Sequence, residues 1–209
     1  MHACFVSYRH PARAGSLQEK LINHTVNAIK DHIEVYTQNY DVYFDKDRLI
    51  PGYQYDDRLA SAICQSACMA VLYFPSYLES PYCLKEIDTM LALEKRRNDL
   101  LGDKLRGSRL FIPVILRGEY SELPELVTKN CQYLDYTKQS TNPSFNIGDD
   151  SDMGEKLFKI AEYIANLCKI MRSIEEQLFS HCDTFGFSDV TPGIQPSPVS
   201  AQPFPGQSQ

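Results

Sequence analysis

Glu86 stands where a core residue is expected. In the stretch FPSYLESPYCLKEIDTML, Phe74 to Leu91, the residues from Pro81 onward have helical spacing. Ser80 suits the N-cap, and proline occupies the first helical position, where its missing N–H is not needed. Cys83, Leu84, Ile87, Met90 and Leu91 then form an apolar stripe. Glu86 falls inside that stripe, three residues after Cys83 and four before Met90. A carboxylate facing a core is costly unless it is paired or shifts its pKa. Three readings fit the pattern: it snorkels to solvent, it pairs with a cation such as Arg9, or it is an active acid in the wall of a cleft.

The rest of the chain offers little conventional chemistry. No G-x-G-x-x-G follows a strand and no Walker A loop is present, which disfavours a dinucleotide or nucleotide site of either common type. A G-x-S-x-G elbow and an H-E-x-x-H helix are also missing. Of five dispersed histidines only His10 lies near a strand end of interest, and it reads as a surface-loop residue. Asp45 and Asp47 suggest a metal or phospho-acceptor site, but the paired acids of a receiver domain after the first strand are absent. Seven cysteines, at 4, 64, 68, 83, 131, 168 and 182, are scattered and form no C-x-x-C pair, so neither zinc nor a disulfide framework is expected.

A net charge of −6 and a pI near 5.4 argue against a nucleic-acid binder, whose footprint would be basic. The basic run Lys95-Arg96-Arg97 reads as a solvated complement to a helix C-terminus. The start, MHACFVSYRHP, lacks a charged segment followed by an apolar run, and no stretch reaches membrane-spanning length. The expectation is a soluble protein of a reducing cytoplasm, with no nucleic-acid or membrane partner.

Strands and helices alternate along the chain. The apolar segments ACFVSY, DVYF, ACMAVLYF, RLFIPVIL and CQYLDY read as five strands. Between and after them lie amphipathic helices through Leu17 to Ile33, around Leu59 to Ile63, from Pro81, and from Met153 to about Phe179. VLYF and FIPVIL are apolar enough to be covered on both faces, which predicts an α/β fold with a parallel five-stranded sheet. The flavodoxin-like order 2-1-3-4-5, with helices on both faces, suits five such units. In that arrangement ligands bind beyond the carboxyl ends of the strands, where the order reverses between strands one and three. Ser7-Tyr8-Arg9 and Tyr73-Phe74 end those strands, so Glu86 borders the expected crevice.

The folded domain is expected to span residues 1–181 and a Pro-rich disordered tail residues 182–209. The tail reading rests on TPGIQPSPVSAQPFPGQSQ, which holds five of the twelve prolines among small and polar residues, too little apolar surface to offset its ordering entropy.

Three segments together resemble a known family. FVSYRH looks like the first box of the Toll/interleukin-1 receptor (TIR) domains, a strand ending in F-x-S-Y. DKDRLIPGYQYDDRLASAI looks like the second, with Pro51-Gly52 at the tip of the BB loop. SACMAVLYFPSYLESPYCLKE is similar to the segment that ends in W-C-x-x-E, with Glu86 at the final position and Tyr82 where the family often has tryptophan. The resemblance covers about Met1 to Thr137.

That resemblance implies one of two functions. Some TIR domains cleave NAD⁺ at the nicotinamide–ribose bond, releasing ADP-ribose or a cyclic or conjugated product; these carry the glutamate that Glu86 matches. Others are non-catalytic adaptors or scaffolds, or mimics that disrupt host signalling, acting through TIR–TIR association. The first is expected here, with Glu86 catalytic and Tyr8, Arg9, Asp45 and Tyr82 binding substrate. Ile50, Pro51, Gly52 and Tyr53 would form the BB-loop contact of an assembly that activates the enzyme. NAD⁺ is then substrate and no cofactor or metal is implied. A free-standing TIR enzyme of this kind resembles the nucleotide-signal producers of bacterial antiphage systems such as Thoeris, whose product acts on a downstream effector.

Overall fold

The computed structural model describes residues 1–37, 40–45, 55–129, 131–138, 140 and 151–194. Five parallel strands, β1 (His2–Tyr8), β2 (Val42–Tyr43), β3 (Ser66–Tyr73), β4 (Phe111–Ile115) and β5 (Leu134–Asp135), line up in the order β2-β1-β3-β4-β5. Ser7 pairs with Val71 and Tyr8 with Leu72, so β1 and β3 end side by side at the point where the strand order reverses. β3 is buried along its whole length, as its unbroken apolar run requires of a central strand. The fold is therefore the flavodoxin-like α/β sandwich that the alternation predicts.

The helices are α1 (Leu17–Tyr36), α2 (Tyr55–Cys64), α3 (Pro81–Leu101), α4 (Glu125–Thr128), α5 (Ser151–Arg172) and α6 (Glu175–Phe179). α1 packs on α5, and α2 on α3. Right-handed crossovers on a sheet whose order reverses after β2 place these two pairs on opposite faces. α3 begins as its sequence dictates: the Ser80 hydroxyl accepts from the Cys83 N–H at 3.3 Å, and Pro81 opens the helix. A cap of this type contributes about 1 kcal/mol.

The structure departs from expectation in four places. The last helix does not run on to Phe179: it ends at Arg172, and the short α6 follows a turn. There the Ser173 hydroxyl donates to the Ile170 carbonyl at 2.7 Å, a local bond that competes with continued helix. Arg97 is not solvated but buried under α3, where its guanidinium donates to the carbonyls of Ser66 (2.8 Å), Ala67 (3.3 Å) and Cys64 (2.7 Å). It closes backbone acceptors at the end of α2 and the start of β3, and burial pulls its pKa down to about 10.

The other two departures concern the C-terminal segment. Cys64 at the end of α2 is joined by a disulfide to Cys182, against the expectation from their spacing; a separation of 118 residues leaves no local signal. The chain also stays packed beyond residue 181. Cys182 is fully buried, Phe185, Phe187 and Ile194 pack against the core, and the Ile194 N–H donates to Asp88 at 3.1 Å. Ordered structure thus passes the boundary drawn at 181 and reaches Ile194. No helix among the described residues is long and apolar enough to cross a membrane.

Candidate active site

The reversal of strand order brings the ends of β1 and β3 together, and α3 leans its first turns against them. Side chains alternate along β1, so Ser7 and Tyr8 face opposite ways. Ser7 faces α3. Its hydroxyl donates to Glu86 Oε2 and lies 2.5 Å from the Tyr77 hydroxyl, which comes from the turn Pro75–Glu79 after β3. Ser7 and Tyr77 are fully buried, and Glu86 is 6% exposed. Three side chains from the first strand, the turn after the third and the following helix therefore form one hydrogen-bonded line: Tyr77, Ser7, Glu86.

Glu86 has no cation opposite it among the described residues. Burial pushes its carboxyl up to about 8, the Ser7 hydroxyl pulls the other way, and the negative charge of Asp45 pushes it up again. Of the three readings of the buried carboxylate, snorkelling and pairing with Arg9 are both ruled out. Arg9 instead donates to the Ser76 carbonyl and to Glu79, each at 2.5 Å, tying the end of β1 to the turn after β3.

Asp45 lies just past β2 and is buried; its carboxylate takes His10 Nε2 at 2.8 Å. His10 sits in a surface loop, as the sequence suggested; there it holds Asp45 and tilts its ring against Tyr8, centroids 4.9 Å apart. Tyr8 also meets Phe44 at 5.0 Å. Tyr8, His10 and Asp45 thus form a second cluster whose charge reaches Glu86. Cys83, one turn before Glu86, is a buried thiol whose pKa burial drives upward, so it is inert at neutral pH.

Tyr82 lies elsewhere. It is 45% exposed, and the Lys85 ammonium sits 5.2 Å from its ring centroid. Lys85 also lies 5.6 Å from the ring of Phe187 in the C-terminal segment. Tyr82 stands four positions before Glu86, but its ring faces outward while the Glu86 side chain turns in to Ser7. Ile50, Pro51, Gly52 and Tyr53 lie outside the described residues, as does Asp47.

Sequence reasoning named Tyr8 and missed Ser7 and Tyr77. The period-2 alternation of β1 was the available signal for Ser7: it fixes that one of the pair must face α3. Tyr77 had no such signal, because a short turn of Pro75–Glu79 carries no periodicity.

Two other features share no residue with the Glu86 cluster. A cavity of about 520 Å³ beside β4, β5 and α5 has three cations on its wall. Those cations are engaged: Arg109 with Glu94 at 2.9 Å, Lys156 with Asp152 and Lys159 with Glu155 at 2.6 Å each. Among the described residues one group of metal-ligating side chains comes together, Cys64, His181 and Cys182, and its two sulfurs are bonded to each other.

A family model described as TIR domain matches residues 5–147. A search of curated proteins found no match. Among solved structures, the chain is similar to the TIR domains of the activated Roq1 resistosome, described as directly recognizing the pathogen effector XopQ. The identity is 20%, the alignment covers 84% of this chain and 98% of that one, and the TM-score is 0.39.

Proposed function

The chain belongs to the TIR domain family, and from that premise we propose that it is an NAD⁺ glycohydrolase in which Glu86 is the catalytic carboxylate. The observation that carries this reading is the state of Glu86: buried at the switch point, bonded to one hydroxyl, and without a counter-ion among the described residues. A structural glutamate in a core is normally neutralised by a cation or fully hydrogen-bonded. This one is left poised.

The chemistry asks for a group in that state. Cleaving the nicotinamide–ribose bond builds oxocarbenium character on the sugar, while nicotinamide departs as a neutral molecule. No general acid is required, unlike glycosidases with two carboxylates. One carboxylate in a water-poor setting stabilises the developing cation and accepts from ribose hydroxyls. With a pKa near 8 the free group is mostly protonated at neutral pH. The positive nicotinamide ring of NAD⁺ favours the ionised form, so substrate arrival itself draws the proton off.

The remaining roles follow. Ser7 holds the carboxylate, with Tyr77 holding Ser7. Arg9 and Tyr8 fix the strand end, Asp45 sets the local charge, and Tyr82 offers an exposed ring for stacking on a base. Self-association through Ile50, Pro51, Gly52 and Tyr53 completes the site, and activity per molecule falls on dilution. The product, ADP-ribose or a cyclic or conjugated form, serves as a signal to an effector in antiphage immunity.

The test is nicotinamide release from NAD⁺ by concentrated protein, followed by chromatography, beside Glu86→Gln. Release by the wild type alone supports the enzyme. No release at any concentration or with a crowding agent leaves a non-catalytic TIR adaptor.

A further inference from the structure

The C-terminal segment crosses the outer faces of α2 and α3. At its start, Cys182 is bonded to Cys64, and Asp183 accepts from Gln65 at 3.1 Å. In its middle, Phe187 lies against Lys85; at its end, the Ile194 N–H donates to Asp88. Lys85 and Asp88 flank Glu86 on α3. One covalent bond and a few weak ties thus hold a strap, residues 182–194, along the helix that carries the candidate catalytic group.

The disulfide has reactive surroundings. His181 Nε2 is 3.5 Å from Cys64 Sγ, and Arg97 donates to the Cys64 carbonyl while its guanidinium lies 5.4 Å from the Phe179 ring. An imidazole within reach of a sulfur can hydrogen-bond its thiolate and make it the better leaving group. Burial and the nearby Arg96 and Arg97 lower the His181 pKa, so the ring is neutral at pH 7. A metal clasp is the weaker alternative: a ligating histidine normally donates its other ring nitrogen to an acceptor, and His181 Nδ1 is buried with no hydrogen-bond partner among the described residues.

We propose that Cys64–Cys182 is a reducible latch, opened by a dithiol reductant, that releases the 182–194 strap and uncovers the outer side of α3 that bears Lys85 and Asp88. The reductant's thiolate attacks Cys182 Sγ; the S–S bond breaks and its electron pair leaves on Cys64. The reductant's second thiol then attacks the mixed disulfide and frees Cys182. Two electrons and two protons pass from reductant to protein, leaving two cysteine thiols and an oxidised, cyclic reductant. Both sulfurs are fully buried, so exchange follows local opening of the strap and the latch yields slowly.

Amide hydrogen exchange on the full chain, read with non-reducing peptide mapping, tests this without any assay of activity. Air-oxidised protein should give the Cys64–Cys182 linked peptide and slow exchange over residues 182–194. Dithiothreitol treatment, and separately Cys182→Ser, should speed exchange there at least tenfold while β1 and β3 stay protected. Cys168→Ser, a buried free cysteine, should leave the strap unchanged. Absence of the linked peptide overturns the proposal, as does a strap equally protected after the bond is shown to be cleaved. Retention of protection by one bound zinc in the reduced chain also overturns it, in favour of a metal clasp.

Discussion

The Ser7 hydroxyl on β1 donates to the Glu86 carboxyl on α3, across 79 residues of sequence. With that proton committed to Glu86, the Tyr77 hydroxyl 2.5 Å away becomes the donor to Ser7. When Glu86 takes up a proton the whole line can reverse, Glu86 to Ser7 to Tyr77. The carboxyl is therefore held in one place in both protonation states, which a residue that must change charge during turnover requires.

The titration of Glu86 sets the pH profile. Burial raises its pKa to about 8, so the ionised fraction of free enzyme grows from pH 6 to 9. The value of kcat/KM for NAD⁺ cleavage should climb over that range and level off above it, since this parameter reports the free enzyme. The kcat limb should fall at lower pH, because the cationic substrate favours the carboxylate. Steady-state rates at saturating and limiting NAD⁺ measure both limbs, and a flat kcat/KM from pH 6 to 9 would count against ionised Glu86 as the working form.

Ser7→Ala removes the hydroxyl that stabilises the carboxylate. Hydrogen bonds to charged groups contribute about 1.5–3 kcal/mol, so kcat/KM should drop roughly tenfold or more. The pH limb should also move further alkaline. Tyr77→Phe keeps the ring in its buried seat and loses only the donor to Ser7, so its effect should have the same sign and be smaller.

Asp45 acts on Glu86 through its charge. In Asp45→Asn that repulsion is gone, and the kcat/KM limb should shift to lower pH by up to about one unit. A shift in the opposite direction, measured in the same profile, would mean that the Asp45–His10 pair acts through position rather than charge.

Glu86 should also cost stability. Its folded-state pKa lies above the ordinary value of 4.5, so the folded chain holds its proton more tightly than the unfolded one. The fold is therefore least penalised below pH 4.5 and loses stability as pH rises through about 8. By linkage the loss is on the order of 5 kcal/mol at its fullest. Glu86→Gln, which cannot ionise, should melt several degrees higher than wild type at pH 8 and show little difference at pH 5. Thermal denaturation at the two pH values checks this.

Much of the fold was legible because its strongest signals are local. The apolar runs of β1, β3 and β4 and the Ser80-Pro81 start of α3 follow from neighbouring residues, and the alternation of elements then limits the topology. Glu86 was legible because it breaks a pattern. What failed depended on partners far along the chain. Arg97 sits in a basic run typical of surface, and only three carbonyls from another part of the chain explain its burial. Cys64 and Cys182 carry no spacing signal. Ser7 was passed over for its neighbour Tyr8 because strand alternation says that two residues face opposite ways without saying which faces the site. α4, of four residues, is too short to produce a period.

The most direct measurement is nicotinamide release from NAD⁺ by wild type, Glu86→Gln and Ser7→Ala at equal high concentration, with folding of each checked by circular dichroism. Release by wild type, a reduced rate with Ser7→Ala and none above background with folded Glu86→Gln is the expected result. Equal release by wild type and folded Glu86→Gln, or none by wild type under every assembling condition, would contradict the account.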